Sequence, residues 1–346
     1  MQLHLKRVIS YPWATWILLT GGLFLTFFGS LFLGRYVISP STVLDILINN
    51  LFNINTNADQ LETSIVLGLR LPRTILTMLV GAGLAVAGAT FQGLFRNPLV
   101  SPDVLGVSSG AGFGAVLGIL FTGISLVTSI YAFVFGILSV FLTYFLAKSK
   151  NQISLMSLVL SGMIVSSLFT ALISMVKFIA DPYDKLPAII YWLMGSFAKA
   201  TLLDIKLVVL PIAAGTAILI FLRWRINVLS LGDEEAYSLG IDPVKIRLAA
   251  IVLATIITAA AVTVAGIIGW VGLVIPHISR LLVGVDHKDL LPASCFIGAI
   301  FLTIVDIIAR TVSSAEIPIG ILTALVGAPF FAYLLKNVTK LKGEWK

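Results

Sequence analysis

Chemistry in this chain is confined to a few charged residues placed at the ends of long apolar runs. Arg70 and Arg73 precede an uncharged run from Thr74 to Phe95, and Arg310 follows Asp306 by four residues near the end of another. Residues three or four apart lie on one helix face. Arg70 and Arg73 are therefore expected to share the face of a helix start, and Asp306 and Arg310 to pair along theirs. Guanidinium groups so placed recognise carboxylates or anchor a helix to headgroups; they are not a catalytic set. A third polar group, Gly232-Asp233-Glu234-Glu235, lies in the longest polar segment, 223–247. Acids there favour a helix start, and Gly240 is placed to end it. A short helix without a catalytic group is a docking surface.

The rest of the chemistry is negative. No Gly-rich loop runs into Lys-Ser or Lys-Thr, so the chain carries no nucleotide-binding P-loop. The run from Gly106 to Gly112 has glycines but no lysine, and reads as close helix packing. His4, His277 and His287 stand at no ligand spacing to another His, Cys or carboxylate. The one cysteine, Cys295, allows neither an internal disulfide nor a cysteine metal site. No metal or cofactor is expected on this chain, and no enzyme activity.

The elements that carry these residues are membrane spans. Hydrophobic residues make up 58% and charged residues 11%, against about 25% charged in soluble domains. A span needs about 20 apolar residues. Windows 13–33, 74–95, 151–176, 207–222, 290–310 and 317–335 give one span each. The windows 104–147, broken near 122–129, and 248–284, broken near Gly266–Gly269, give two each, which makes ten. The apolar piece 186–198 suits a helix lying at the interface. Lys6 and Arg7 precede the first run, which is longer than a signal h-region of roughly 7–15 residues and is expected to stay as an uncleaved span.

With both termini cytoplasmic, 15 of the 23 basic residues fall inside, as the positive-inside rule requires. The net charge of +7 is thus a membrane signal and not one of nucleic-acid binding. Arg70, Arg73 and Arg310 run against the bias, as uncompensated charge on the outer side. Val86-Ala87-Gly88 and Pro98 recur, 178 residues on, as Val264-Ala265-Gly266 and Pro276. They fall in the second and seventh spans, so a five-span unit repeated once is inverted. The expected architecture is an all-α integral membrane protein of ten transmembrane helices in two inverted five-helix repeats, forming a single domain over 1–346.

Several motifs carry a resemblance. Arg70-Leu-Pro-Arg73, Gly93 to Pro98, Leu105-Gly-Val-Ser-Ser-Gly110, Trp270-Val-Gly-Leu-Val-Ile-Pro-His277, Glu316-Ile-Pro-Ile-Gly320 and Val326-Gly-Ala-Pro329 stand in order. Together they resemble the permease family of bacterial ABC importers for ferric siderophores, haem and cobalamin. The resemblance implies a permease subunit in the cell membrane that works with a second permease subunit, identical or paralogous. Two cytoplasmic ATPase subunits, which use ATP and Mg, and an extracytoplasmic binding protein complete the set. An iron chelate or cobalamin is the implied cargo.

The same resemblance assigns residues. Segment 223–247 is similar to the coupling loops that dock on the ATPase, with Gly232, Asp233, Glu234, Glu235, Ala236 and Gly240 as the contact. Glu234, Ala236 and Gly240 match a Glu-Ala-Ala-x-x-x-Gly pattern, except that Glu235 stands where the pattern has Ala. Bulk at Ala236 or Gly240 is expected to spoil a packed groove. Arg70, Arg73 and Arg310 match the arginines that meet glutamates of the binding protein. Ser161, Gly162, Ser166 and Thr170 are implied to line the pathway, with Ser154, Leu155 and Met156 near the inner gate. The competing expectation is a stand-alone ion-coupled secondary transporter. The lack of a carboxylate or histidine deep in a span argues against it.

Overall fold

The computed structural model describes residues 12–52, 54, 58–148 and 154–343. His4, Lys6 and Arg7, named above, lie outside them. The described residues form α1 (Pro12–Phe32), α2 (Pro40–Leu51), α3 (Gln60–Thr63), α4 (Leu71–Leu94), α5 (Val107–Thr122), α6 (Leu126–Ala147) and α7 (Leu155–Ile179). They continue as α8 (Lys185–Leu193), α9 (Leu202–Phe221), α10 (Arg223–Leu229), α11 (Asp233–Ser238), α12 (Pro243–Ala265), α13 (Val271–Val283), α14 (His287–Thr311) and α15 (Ile319–Gly343). No strand occurs among them. Seven helices are long and apolar enough to cross a membrane, and α5, α13 and the described start of α15 are shorter apolar helices.

The breaks fall where glycine leaves the helical region. Gly123, at φ +73, ends α5, and Gly266, at φ +69, ends α12. Gly88 sits in mid-α4, so it and Gly266, its echo, do different local jobs. Three expectations are corrected. The span expected to start at Thr74 belongs to a rod of 35 residues, Gln60–Leu94. A π-helical stretch, Ser64–Arg70, precedes Pro72, and the Leu71 N–H reaches back five residues to Val66 O. Wider turns of this kind let a helix absorb an irregularity such as a proline. The window 207–222 was too short, because Asp204 and Lys206 lie inside α9. Thr201 and Asp204 close a capping box there, with Thr201 N–H donating to Asp204 Oδ2 at 2.8 Å. Of the piece 186–198, only the part to Leu193 is helical. Gly195 then turns at φ +75, and its carbonyl accepts from Ile319 N at 2.9 Å.

Residues 34–59, passed over in the sequence, hold α2. Ser39 accepts from Thr42 N and Pro40 starts the helix, a start signal that was legible. Its Val43 and Ile46 bury against Leu31, Ile38 and Val66.

The rod of α3 and α4 is the axis of the bundle. Of its most apolar window, 78% is buried, against 28–33% for α1, α6, α7 and α9. Helices without a hydrophobic drive to associate in lipid pack through small residues. A Cβ on Gly81 would lie 2.2 Å from Gly298 O, and one on Gly88 1.9 Å from Gly272 O. Backbone therefore touches backbone where α4 crosses α14 and α13. Gly110, Gly114 and Gly118 do the same for α5 on α6, which is the packing expected of the 106–112 run. Gly81→Leu should destabilise the permease by about 1–3 kcal/mol or more. Thermal unfolding in lipid nanodiscs reads this. Gly21→Leu, where a Cβ meets nothing within 4 Å, is the control; equal melting of the two variants would contradict the crossing.

Candidate functional site

At one end of the bundle α1 stops at Phe32, leaving its last carbonyls without helical partners. Arginines supply them. Arg70 Nη1 donates to Leu31 O at 2.7 Å and to Phe32 O at 3.2 Å, and Nη2 donates to Tyr36 O. Arg310 Nη2 donates to Ser30 O and Ser30 Oγ, both at 2.7 Å. A cation at a helix C-terminus is stabilised by the macrodipole. The Thr74 hydroxyl donates to Arg70 O at 2.8 Å, so Ser30 Oγ must be the donor in its 2.7 Å bond to Thr74 Oγ1.

Arg73 is paired twice. Its Nε and Nη2 donate to Asp306 at 2.8–3.0 Å, and its Nη1 and Nη2 to Glu316 at 2.9–3.0 Å. The Asp306 side chain is 0% exposed. Arg310 Nε lies 3.5 Å from Asp306 Oδ2, too long for a strong bond. The expected Asp306–Arg310 pair along α14 is therefore secondary, and the main partner of Asp306 is Arg73, 233 residues away.

The premise of three uncompensated arginines holds for Arg70, which meets only backbone carbonyls, and is corrected for Arg73, which meets two carboxylates, and in part for Arg310, which lies beside Asp306. Each is buried, at 4–8% exposure, and each is bonded inside the chain, because bare charge in a low-dielectric bundle is costly. The sequence showed all the members but not their pairing. Together with Arg35, Tyr36 and Glu316 they line a cavity of about 250 Å³.

At the opposite end, α11 forms where its start and stop signals lie. Gly232 precedes it, and Gly240 ends it at φ +74, with Ile241 N–H donating to Ala236 O at 2.9 Å. Asp233 accepts from Arg96 at 3.1 Å and from Arg247 at 2.8 Å. Arg96 holds a left-handed φ of +49, the kind of local strain found where a side chain is aimed at a partner. Segment 223–247 also contains α10, which the sequence reading left as loop. His287 N–H donates to Asn227 Oδ1 at 3.2 Å, joining α10 to the start of α14.

Ala236 is 0% exposed and faces its own chain. A Cβ on Gly240 meets nothing within 4 Å, and its role here is to end the helix. Glu234 and Glu235 are exposed, as are Leu231, Tyr237, Leu239 and Val244, at 54–65%. Of these four apolar side chains Tyr237 stands on α11, and the others flank it.

On α7, Ser161 and Gly162 are buried. A Cβ on Gly162 would lie 1.9 Å from Val104 O, so Gly162 serves close helix packing within this chain. Ser166 is half-buried and Thr170 exposed. The outward stripe, spaced by three or four residues, is Met156, Leu160, Met163, Ser167, Thr170 and Ser174. Its hydroxyls donate to the helix's own carbonyls at 2.8–2.9 Å, which leaves a weakly polar surface. Ser154 caps α7 by accepting from Ser157 N at 3.0 Å. Ser154 and Leu155 line, with Leu231, Arg96 and residues 232–235, a cavity of about 690 Å³. The structure thus brings the expected gate and the expected coupling helix together. His277 packs ring to ring on Phe330. Among the described residues no group of three His, Cys, Asp or Glu is placed to hold a metal.

Removing Arg73 would leave Asp306 charged, buried and poorly paired. Arg73→Ala should cost about 3–5 kcal/mol. The double variant Arg73→Met, Asp306→Leu should be less damaged than the sum of its single changes. Denaturant unfolding in nanodiscs measures both, and additive losses would show that the two residues do not interact.

The profile of the FecCD transport family matches residues 22–337. The molybdate import system permease protein MolB of Haemophilus influenzae is 44% identical over 90% of this chain and 91% of its own length. A Helicobacter pylori protein described as a probable iron chelatin transport system permease is 42% identical over 78% and 82%. A metal-chelate type ABC transporter in an inward-facing conformation superposes with a TM-score of 0.84 at 41% identity, covering 94% of this chain and all of that one. The spans, the paired arginines and the exposed α11 occur in a chain that belongs to the FecCD transport family.

Proposed function

We propose that this chain is the membrane-spanning permease subunit of an ATP-binding-cassette importer. It crosses the cell membrane ten times in two inverted five-helix halves, with both termini cytoplasmic, and pairs with a second permease subunit. ATP hydrolysis belongs to two cytoplasmic ATPase subunits, and an extracytoplasmic binding protein delivers the cargo. The observation that carries this reading is α11. It is a short helix locked by Asp233 to Arg96 and Arg247, with exposed Tyr237 on it, exposed Leu231 and Leu239 on either side, and no catalytic group. Exposed apolar patches of this kind mark protein contacts.

Gly232, Asp233, Glu234, Glu235, Ala236 and Gly240 then build the ATPase-coupling element, and Tyr237 and Leu239 make its contact. Residues 232–235 share a cavity with Ser154 and Leu155, which supports a coupling route from α11 to the inner gate on α7. Thr170 and Met156, with the rest of the outward stripe of α7, face the pathway between the two permeases; Ser161, Gly162 and Ser166 support it from behind. A weakly polar lining suits a bulky iron chelate, recognised mainly by the binding protein. Molybdate is the second reading, on the strength of the Haemophilus influenzae relative. Arg70, Arg73 and Arg310 form the outer mouth that receives the binding protein. Asp306, held by Arg73, is not free to carry protons, which favours this reading over an ion-coupled transporter.

The test is to co-purify the complex, identify the ligand that its binding protein retains, and measure uptake into vesicles. Uptake of that ligand should require ATP and ignore ion gradients; the reverse would overturn the proposal. Within the same complex, Tyr237→Asp and Leu239→Asp should lower binding-protein-stimulated ATP hydrolysis by tenfold or more, since losing a central apolar anchor costs about 2 kcal/mol or more. Normal coupling in both variants would mean that α11 is merely solvated.

A further inference from the structure

A second cavity, of about 290 Å³, opens between the starts of α6 and α9, the end of α8 and the end of α12. Ala198 lines both it and the arginine cavity, so the two lie at the same end of the bundle. Two opposite charges line the second one: Lys199, which is exposed, and Asp204, which is half-buried. Neither is joined in an ion pair, to the other or to a third group, among the described residues. Asp204 commits one oxygen to the cap of α9, where Oδ2 accepts from Thr201 N–H at 2.8 Å and from the Thr201 hydroxyl at 2.7 Å. Its Oδ1 accepts nothing from the described residues. The half-buried Ser129 also lines the cavity. The way out is apolar, past exposed Leu126, Leu203 and Leu207. Tyr191 and Trp192 of α8 stand beside it, and such rings concentrate where a bilayer meets water. Helices α6 and α9 bury only 33% and 28% of their most apolar windows, as helices facing lipid do.

We propose that this cavity holds the headgroup of a zwitterionic phospholipid that carries a primary amine. The phosphate meets Lys199 and the Ser129 hydroxyl, the ammonium donates to Asp204 Oδ1, and the acyl chains lie on Leu126, Leu203 and Leu207. Charge complementarity chooses the occupant. One cation and one anion on a single cavity match a headgroup with one of each. An anionic headgroup would set its charge against Asp204 with nothing to offer in return. A quaternary ammonium has no N–H to donate to Oδ1, whereas charge-assisted hydrogen bonds are the strong ones. A soluble zwitterion would fill the polar end and leave the leucines bare; a phospholipid covers both. The lipid belongs to the leaflet at the arginine end, the outer one in the orientation proposed above, but its binding does not depend on that orientation.

The experiment places the purified complex in nanodiscs of equal parts phosphatidylethanolamine, phosphatidylglycerol and phosphatidylcholine. Native mass spectrometry then counts the lipids that each released complex retains. The wild type should retain phosphatidylethanolamine over the other two. Lys199→Gln should lower that retention by about threefold or more. Asp204→Asn, which keeps an oxygen for the Thr201 N–H, should lower it as well and turn the preference toward phosphatidylglycerol, because Lys199 then stands alone. Both variants should unfold at the wild-type temperature in discs of phosphatidylcholine alone, which separates a lost lipid from a lost cap. Phosphoethanolamine without chains, added at the concentration at which the lipid binds, should not compete. The inference fails if the wild type prefers phosphatidylglycerol or shows no preference, or if Lys199→Gln retains phosphatidylethanolamine as the wild type does. Competition by chain-free phosphoethanolamine would make the occupant a soluble zwitterion and would overturn the lipid assignment.

Discussion

The Arg73–Asp306 pair constrains everything at its end of the molecule. A carboxylate at 0% exposure in the last turns of an apolar helix is tolerable only with a cation fixed beside it, since desolvation exceeds the gain from a loose pair. Arg73 meets that demand with a planar fork, and Glu316 occupies the rest of its donors. Three chain segments far apart in sequence, the axial rod, α14 and the stretch before α15, are thereby tied at one point. Arg310, crowded by the same carboxylate, turns its Nη2 to Ser30, and Arg70 fills the remaining carbonyls of α1. The end of α1 is thus closed by side chains whose positions follow from one buried charge.

The opposite end is closed by a second, more exposed set. Asp233 joins α11 to the turn after α4 and to the start of α12, and Asn227 joins α10 to the start of α14. The two sets are thus joined by helices packed backbone to backbone, the rod and α14 at Gly81 and Gly298.

Much of this was legible in the sequence. Uncharged windows gave helices, because length and the absence of charge are what a bilayer selects, and Gly123, Gly266 and Gly240 marked stops through their left-handed backbone. The windows failed where charge lies inside a helix: at Lys206, set after a capping box, and at Arg70 and Arg73, which sit in mid-rod and not at its start. Pairing was not legible. Asp306 and Arg310 stand four apart and suggest each other, yet the better geometry goes to Arg73, and nothing in one sequence reports a contact across 233 residues. Facing was only half legible. Small polar residues on α7 pointed to a lining, but Gly162 turns toward Val104 and Ser161 is buried, and the methionines and hydroxyls one step around the helix are the outward ones.

The most direct test is a structure of the full complex with its binding protein docked, at a resolution that shows guanidinium groups. The account predicts that Arg73 stays on Asp306 and Glu316 and that Arg70 and Arg310 keep the end of α1. Arg73 released from Asp306 and bonded elsewhere would contradict it.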